Sequence, residues 1–237
     1  MKKMWTIYLR ELKSIIYSPF SAILGTCFVG IMGYTFSYYL TTYSQVDFYP
    51  IILKYMANIL LITIPFLTMS LLAGEAEKGS IFLLLSSPVK EWSIVLGKWF
   101  AAFTATLTLI LFSLPFPLIL MSLGSPDTGP IMAGYLGIIL LGGLFCSIGI
   151  FASSLTRSPV IGAIIGFTLM TFSGVIEQAK NFTGKTGTAF FERLSYIPAC
   201  KELFGGVIYG HHIIYFITLT FFFLFATQRV LSSNRWR

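Results

Sequence analysis

Charge is scarce in this chain. Only 11% of its 237 residues are Asp, Glu, Lys or Arg, 56% are hydrophobic, and the mean hydropathy is +0.82. So little charge cannot cover the surface of a soluble domain of this length, which excludes that class. Cysteine is scarce as well. Cys27, Cys146 and Cys200 share no close spacing and two of them fall in apolar runs, so neither a zinc framework nor a disulfide framework is expected. Catalytic constellations are missing too, since no Ser/His/Asp or Cys/His set can be assembled at one membrane depth. A cleaved leader is not expected, because Met1-Lys2-Lys3 leads into a polar amphipathic stretch with Arg10, Glu11 and Lys13.

What the chain does have is long apolar runs, and crossing a bilayer takes roughly 20 such residues as a helix. Six spans are expected, at about Pro19 to Leu40, Ile51 to Ala73, Trp92 to Leu123, Ile131 to Ser153, Pro159 to Ile176 and Ile213 to Val230. The fold class is therefore all-α integral membrane, with residues 1–237 as a single transmembrane domain. The third span is overlong, and Pro115 and Pro117 should kink or end its helix. No acid or base is expected at mid-depth in any span, which argues against proton relays and ion-coupled transport. Gly162 and Gly166 form a small-xxx-small pair, and Gly142, Gly143 and Gly149 add smooth helix faces.

The distribution of charge orients the chain. With both termini inside, the cytoplasmic side collects 11 basic residues, Lys98 among them, and four acidic ones, a net of +7. The other side has five of each, so the whole positive excess lies inside, as the positive-inside rule requires. This asymmetry accounts for the basic character without nucleic acid.

Three polar segments stand between or before the spans. The first, Trp5 to Tyr17, puts Trp5, Leu9, Leu12 and Ile16 on one helical face, with Lys2, Arg10 and Lys13 available to anionic headgroups. It reads as an interfacial helix, either a plain anchor or part of a grip on a partner. The second, Glu75 to Lys98, is a cytoplasmic insert with an apolar stripe of Ile81, Leu84 and Leu85 that ends at Pro88. Such a segment can lie in the headgroups or dock into the groove of a soluble subunit. Its Leu96-Gly97-Lys98 resembles the end of a phosphate loop, but Trp92 and Trp99 occupy the positions where that loop needs Gly and Ser or Thr. The third, 177–212, is broken by Pro198, Gly205 and Gly206, and is expected to be a re-entrant hairpin or an ordinary folded loop. Within it, His211-His212 is expected to cap the interface and not to bind metal, since adjacent helical histidines point apart and no third ligand is near.

Three stretches carry a resemblance to the ABC-2 permeases, the six-span membrane subunits of type V ABC exporters. One is Glu75-x3-Gly79-Ser80, then Leu84-Leu85-x2-Pro88-Val89 and Val95-Leu96-Gly97-Lys98. Another is Gly149 to Arg157, with its Ser153-Ser154-Leu155 turn. The last is Leu194-Ser195-Tyr196-Ile197-Pro198 with Phe204 and Gly206-Val207-Ile208, which is similar to gliding-motility-type and nitrous-oxide-reductase-maturation-type permeases. Ser80 stands where the family usually has Thr, and Phe82 where it often has an acid.

The resemblance implies a multi-pass protein of the bacterial inner membrane that pairs with a second permease copy. Separate cytoplasmic ABC ATPase subunits would bind the ATP and Mg, and this chain would have no nucleotide site of its own. It further implies that Glu75, Glu77, Lys78, Gly79, Ser80, Ile81, Leu84, Leu85 and Pro88 form an ATPase-coupling helix, which Trp5, Leu9, Arg10 and Lys13 of the interfacial helix would complement. Leu194, Tyr196, Pro198, Phe204 and Gly206 would form a re-entrant gate. Outward movement of a substrate is the expected function. A scaffold doing mechanical work on an extracytoplasmic partner is the alternative, with membrane lipids and an auxiliary subunit as further partners.

Overall fold

A computed structural model describes residues 2–42, 48–80, 90–123, 128–179 and 195–235, and the described part is helical with no strands. In chain order the helices are α1 (Lys2–Ile16), α2 (Pro19–Thr42), α3 (Phe48–Glu77), α4 (Glu91–Leu111), α5 (Pro115–Leu123), α6 (Thr128–Ser154), α7 (Pro159–Ala179), α8 (Tyr196–Phe204) and α9 (Gly210–Arg235).

Five described helical stretches are long and apolar enough to cross a membrane: Pro19–Thr41, Pro50–Glu77, Glu91–Ser122, Thr128–Ser154 and Gly210–Ser233. The remaining expected span lies in α7, whose apolar stretch Pro159–Phe172 is shorter. The overlong third span breaks between α4 and α5 for a local reason. Pro115 has no N–H for the Leu111 carbonyl, which takes Leu114 N at 3.1 Å instead. The Ser113 carbonyl would similarly lose Pro117 as donor, and Phe116 N at 3.1 Å and the Tyr135 hydroxyl at 3.2 Å answer it. The break is thus stitched to α6.

Helix α6 is the centre of the bundle, packed against α3, α4, α7, α8 and α9. Its glycines let these neighbours approach. A Cβ on Gly134 would lie 2.1 Å from Leu53 Cδ1 on α3, and one on Gly149 would lie 2.1 Å from Thr68 Oγ1. The Gly162 and Gly166 faces are used in the same way inside the protomer. A Cβ on Gly162 would sit 3.5 Å from Ser153 Cα, and one on Gly166 would sit 3.7 Å from both Gly149 Cα and Pro65 Cβ. Van der Waals packing, not burial from water, holds such helices together in lipid. Cys146 and Cys200 are buried, whereas Cys27 is exposed.

Candidate functional site

The end of α3 is built by its own residues. Gly79 has φ +68°, a left-handed conformation that favours glycine and closes the helix, with Gly79 N donating to Ala76 O at 3.2 Å. The Ser80 hydroxyl then donates to the Glu75 carbonyl at 3.2 Å, so the departure from Thr to Ser keeps the group that makes this bond. Glu75 is partly buried, while Glu77, Lys78 and Gly79 are exposed. Ile81, Leu84, Leu85 and Pro88 lie outside the described residues.

Glu75 belongs to a cluster that local sequence patterns do not reveal. Lys98, eight positions into α4 and 0% exposed, donates to Glu11 Oε1 at 3.1 Å and to the Leu71 carbonyl at 2.6 Å. Its Nζ also lies 3.0 Å from Glu75 Oε2 as an ion pair, without hydrogen-bond alignment. Arg10 bridges the two acids from the solvent side, donating to Glu75 Oε1 at 2.7 Å and to Glu11 Oε1. Two cations and two anions thus neutralise one another. The Glu11 hydrogen bond pushes the Arg10 guanidinium up from its ordinary value. Burial opposes this, and the charges of Glu11 and Glu75 add to it. A raised cation keeps its stabilising charge below its ordinary pKa and loses it only as pH rises beyond that, so Arg10 stays charged throughout the neutral range.

Lys98, one of the basic residues assigned to the cytoplasmic side, is thus buried and paired and not solvated. It sits about 10 Å along α4 from Glu91 at 1.5 Å per residue, inside the expected third span. A buried ammonium is tolerated only when paired and hydrogen-bonded, and Glu11, Glu75 and Leu71 O meet that need. Gly97 makes the pairing possible. A Cβ there would lie 3.1 Å from the Met4 carbonyl and from Ile7 Cγ2, so only glycine lets α1 sit this close to α4. The signal for Glu11 was its spacing: Ile7, Glu11 and Ile15 recur every four residues, and all three are buried.

Helix α1 therefore has two apolar faces. One packs on α4, where the Tyr8 hydroxyl lies 3.3 Å from Thr104 Oγ1. The expected stripe is the other: Trp5 and Ile16 are 58% and 55% exposed, Leu9 is exposed and Leu12 half-buried. Arg10 and Lys13 are exposed. Around Arg10, Glu11, Glu75 and Lys78 lies a polar cavity of about 370 Å³ with Ser14, Ser18 and Ser70 in its wall. At the start of α4, Gln228 Nε2 on α9 donates to Glu91 Oε2 at 2.7 Å.

A second tie joins α3 to the Ser153 turn. Ser153 Oγ accepts from Leu72 N at 3.1 Å and Ala73 N at 2.9 Å and donates to Met69 O at 2.8 Å. The stretch of α3 before Glu75 is thus gripped from α6 through Ser153 and from α4 through Lys98.

At the opposite end of α3, Lys54 lies 21 residues from Glu75, about 30 Å at 1.5 Å per residue. Here α8 begins at Ser195, whose Oγ accepts from Ile197 N at 3.2 Å, and it packs on α6, α3 and α7. Tyr196 meets Phe145 edge-on at 5.3 Å, Pro198 is half-buried and Phe204 is buried. Gly206 has φ +90°, and a Cβ there would lie 2.9 Å from Pro130 Cγ. A cavity of about 340 Å³ separates α8 from the start of α3, lined in part by Lys54, Asn58, Tyr196, Lys201 and Phe204. Leu194 lies outside the described residues.

For His211 and His212, two premises of the sequence reading do not hold: the rings do not point apart, and a third ligating group is near. Their ring centroids are 4.0 Å apart, and Glu202 is near, its Oε2 2.7 Å from His212 Nε2. They stand in the first turn of α9, and the Gly205-Gly206 corner folds Glu202 back beside them, with Val207 N donating to Glu202 O at 3.0 Å.

A family model described as ABC-2 family transporter protein matches residues 5–227, nearly the whole chain and every group of the charged cluster. The chain belongs to the ABC-2 transporter family. It is a multi-pass membrane protein and a permease subunit of an ABC transporter, and the family implies partnership with an ABC ATPase. No curated protein matches this permease. Membership places the charged cluster in a subunit that is generally non-catalytic.

Proposed function

We propose that this permease couples ATP hydrolysis by a separate cytoplasmic ATPase to outward movement of a substrate, working as a homodimer in a bacterial inner membrane. The observation that carries this reading is the Arg10–Glu11–Glu75–Lys98 cluster, which joins α1, the end of α3 and α4 at the base of the 81–89 segment. With Glu91 held by Gln228 at the far side, a displacement of that segment pulls on three helices through Glu75 and on α9 through Glu91. Residues Glu75 to Pro88 serve as the docking segment and the exposed Trp5–Leu9–Ile16 face of α1 lies against lipid. ATP and Mg stay on the partner. The α8 segment, with Tyr196, Pro198, Phe204 and Gly206, gates the far end of the path.

The test is the Ile81→Asp/Leu85→Asp double variant reconstituted with the ATPase. It should fold and insert as the parent does yet lose permease-stimulated ATP hydrolysis. Normal assembly and stimulation would refute the docking assignment.

A further inference from the structure

The corner between α8 and α9 carries three metal-ligating side chains that the coupling reading does not use. One ligand atom from each of Glu202, His211 and His212 lies within 4.8 Å of the other two. Glu202 and His211 are solvent-exposed and His212 is buried, so the set is open on one side and backed on the other. The exposed Tyr209 ring stacks on His211 at 5.3 Å and meets His212 edge-on at 5.8 Å.

We propose that Glu202, His211 and His212 bind one divalent transition-metal ion of the Zn²⁺ class. Two imidazoles and a carboxylate suit such ions, while the hard ions Mg²⁺ and Ca²⁺ prefer all-oxygen sets. Zinc takes such ligands at about 2.0–2.2 Å, which puts the donor atoms of a tetrahedral site about 3.3 Å apart. The three ligand atoms, now within 4.8 Å of one another, would settle to that spacing, and the 2.7 Å His212–Glu202 pair would open to it if those two atoms are the donors. The fourth position faces solvent and is left to water. A bound ion would clamp the end of α8 to the start of α9, where the His212–Glu202 bond already joins them.

The experiment is Zn²⁺ titration of the full purified chain in detergent, with any affinity tag removed, against a chromophoric chelator. One Zn²⁺ per chain is expected, undisturbed by excess Mg²⁺. His211→Ala should weaken binding at least about tenfold, since even partners one step out from the metal contribute about that much. Glu202→Gln, which can still hydrogen-bond His212, should do the same. His211→Ala also separates the metal site from a purely structural corner, because it leaves the His212–Glu202 bond in place. Absence of stoichiometric binding to the parent chain, or equal binding by the parent and both variants, would overturn the proposal.

Discussion

At the scale of single residues, Lys98 bears the largest consequence. Removing its ammonium leaves Glu11 and Glu75 facing each other with only Arg10 to compensate, and breaking a buried pair in this way costs about 3–5 kcal/mol. Lys98→Ala should therefore lower the thermal unfolding midpoint in detergent markedly. Pairing Lys98→Met with Glu11→Gln should recover part of the loss, because one uncompensated acid is then removed. Gly149 offers a steric counterpart. Its added Cβ would lie 2.1 Å from Thr68 Oγ1, so Gly149→Ala should destabilise by about 1–3 kcal/mol. Thr68→Ala should relieve part of that in the double variant, as read by the same melting curves.

At the scale of elements, Gly97 decides how α1 lies on the bundle. Gly97→Leu should lift α1 off α4, breaking the Lys98–Glu11 bond while leaving α4 helical. Hydrogen exchange should then rise in 4–15 with little change in 99–110. Much at this scale was legible in the sequence. The apolar runs located the long helices, and Pro115 and Pro117 located the break between α4 and α5. The amphipathic stripe of α1 was legible too, as the face left open. What escaped was pairing across the chain. Glu11 and Lys98 stand 87 positions apart, and local periodicity says nothing about who meets whom at that distance. Charge-asymmetry rules place Lys98 on the cytoplasmic side but do not tell a solvated lysine from one buried against the acids on α1 and α3. The Glu202–His212 contact was hidden similarly, since helical spacing cannot anticipate the Gly205-Gly206 corner that folds one helix end onto the next.

At the scale of the whole molecule, polar groups gather at the two ends of α3, about 30 Å apart, close to the thickness of a bilayer's hydrocarbon core. One end carries the charged cluster, and the other carries the α8 cavity and the histidine corner. Between them α3 and α6 are packed through glycines and the Ser153 hydroxyl, which makes them a stiff link between the ends. Family membership makes the molecule a permease, and in the proposed function force enters it through Glu75. The most direct test is a double-mutant cycle on Arg10→Gln and Glu75→Gln, reading permease-stimulated ATP turnover of the reconstituted complex in vesicles. Arg10 is exposed, so its loss should not unfold the chain. Each single variant should assemble and lose stimulation, and the double variant should lose less than the two effects combined, with a coupling energy above about 0.5 kcal/mol. Assembled single variants with undiminished stimulation, or strictly additive losses, would contradict the account.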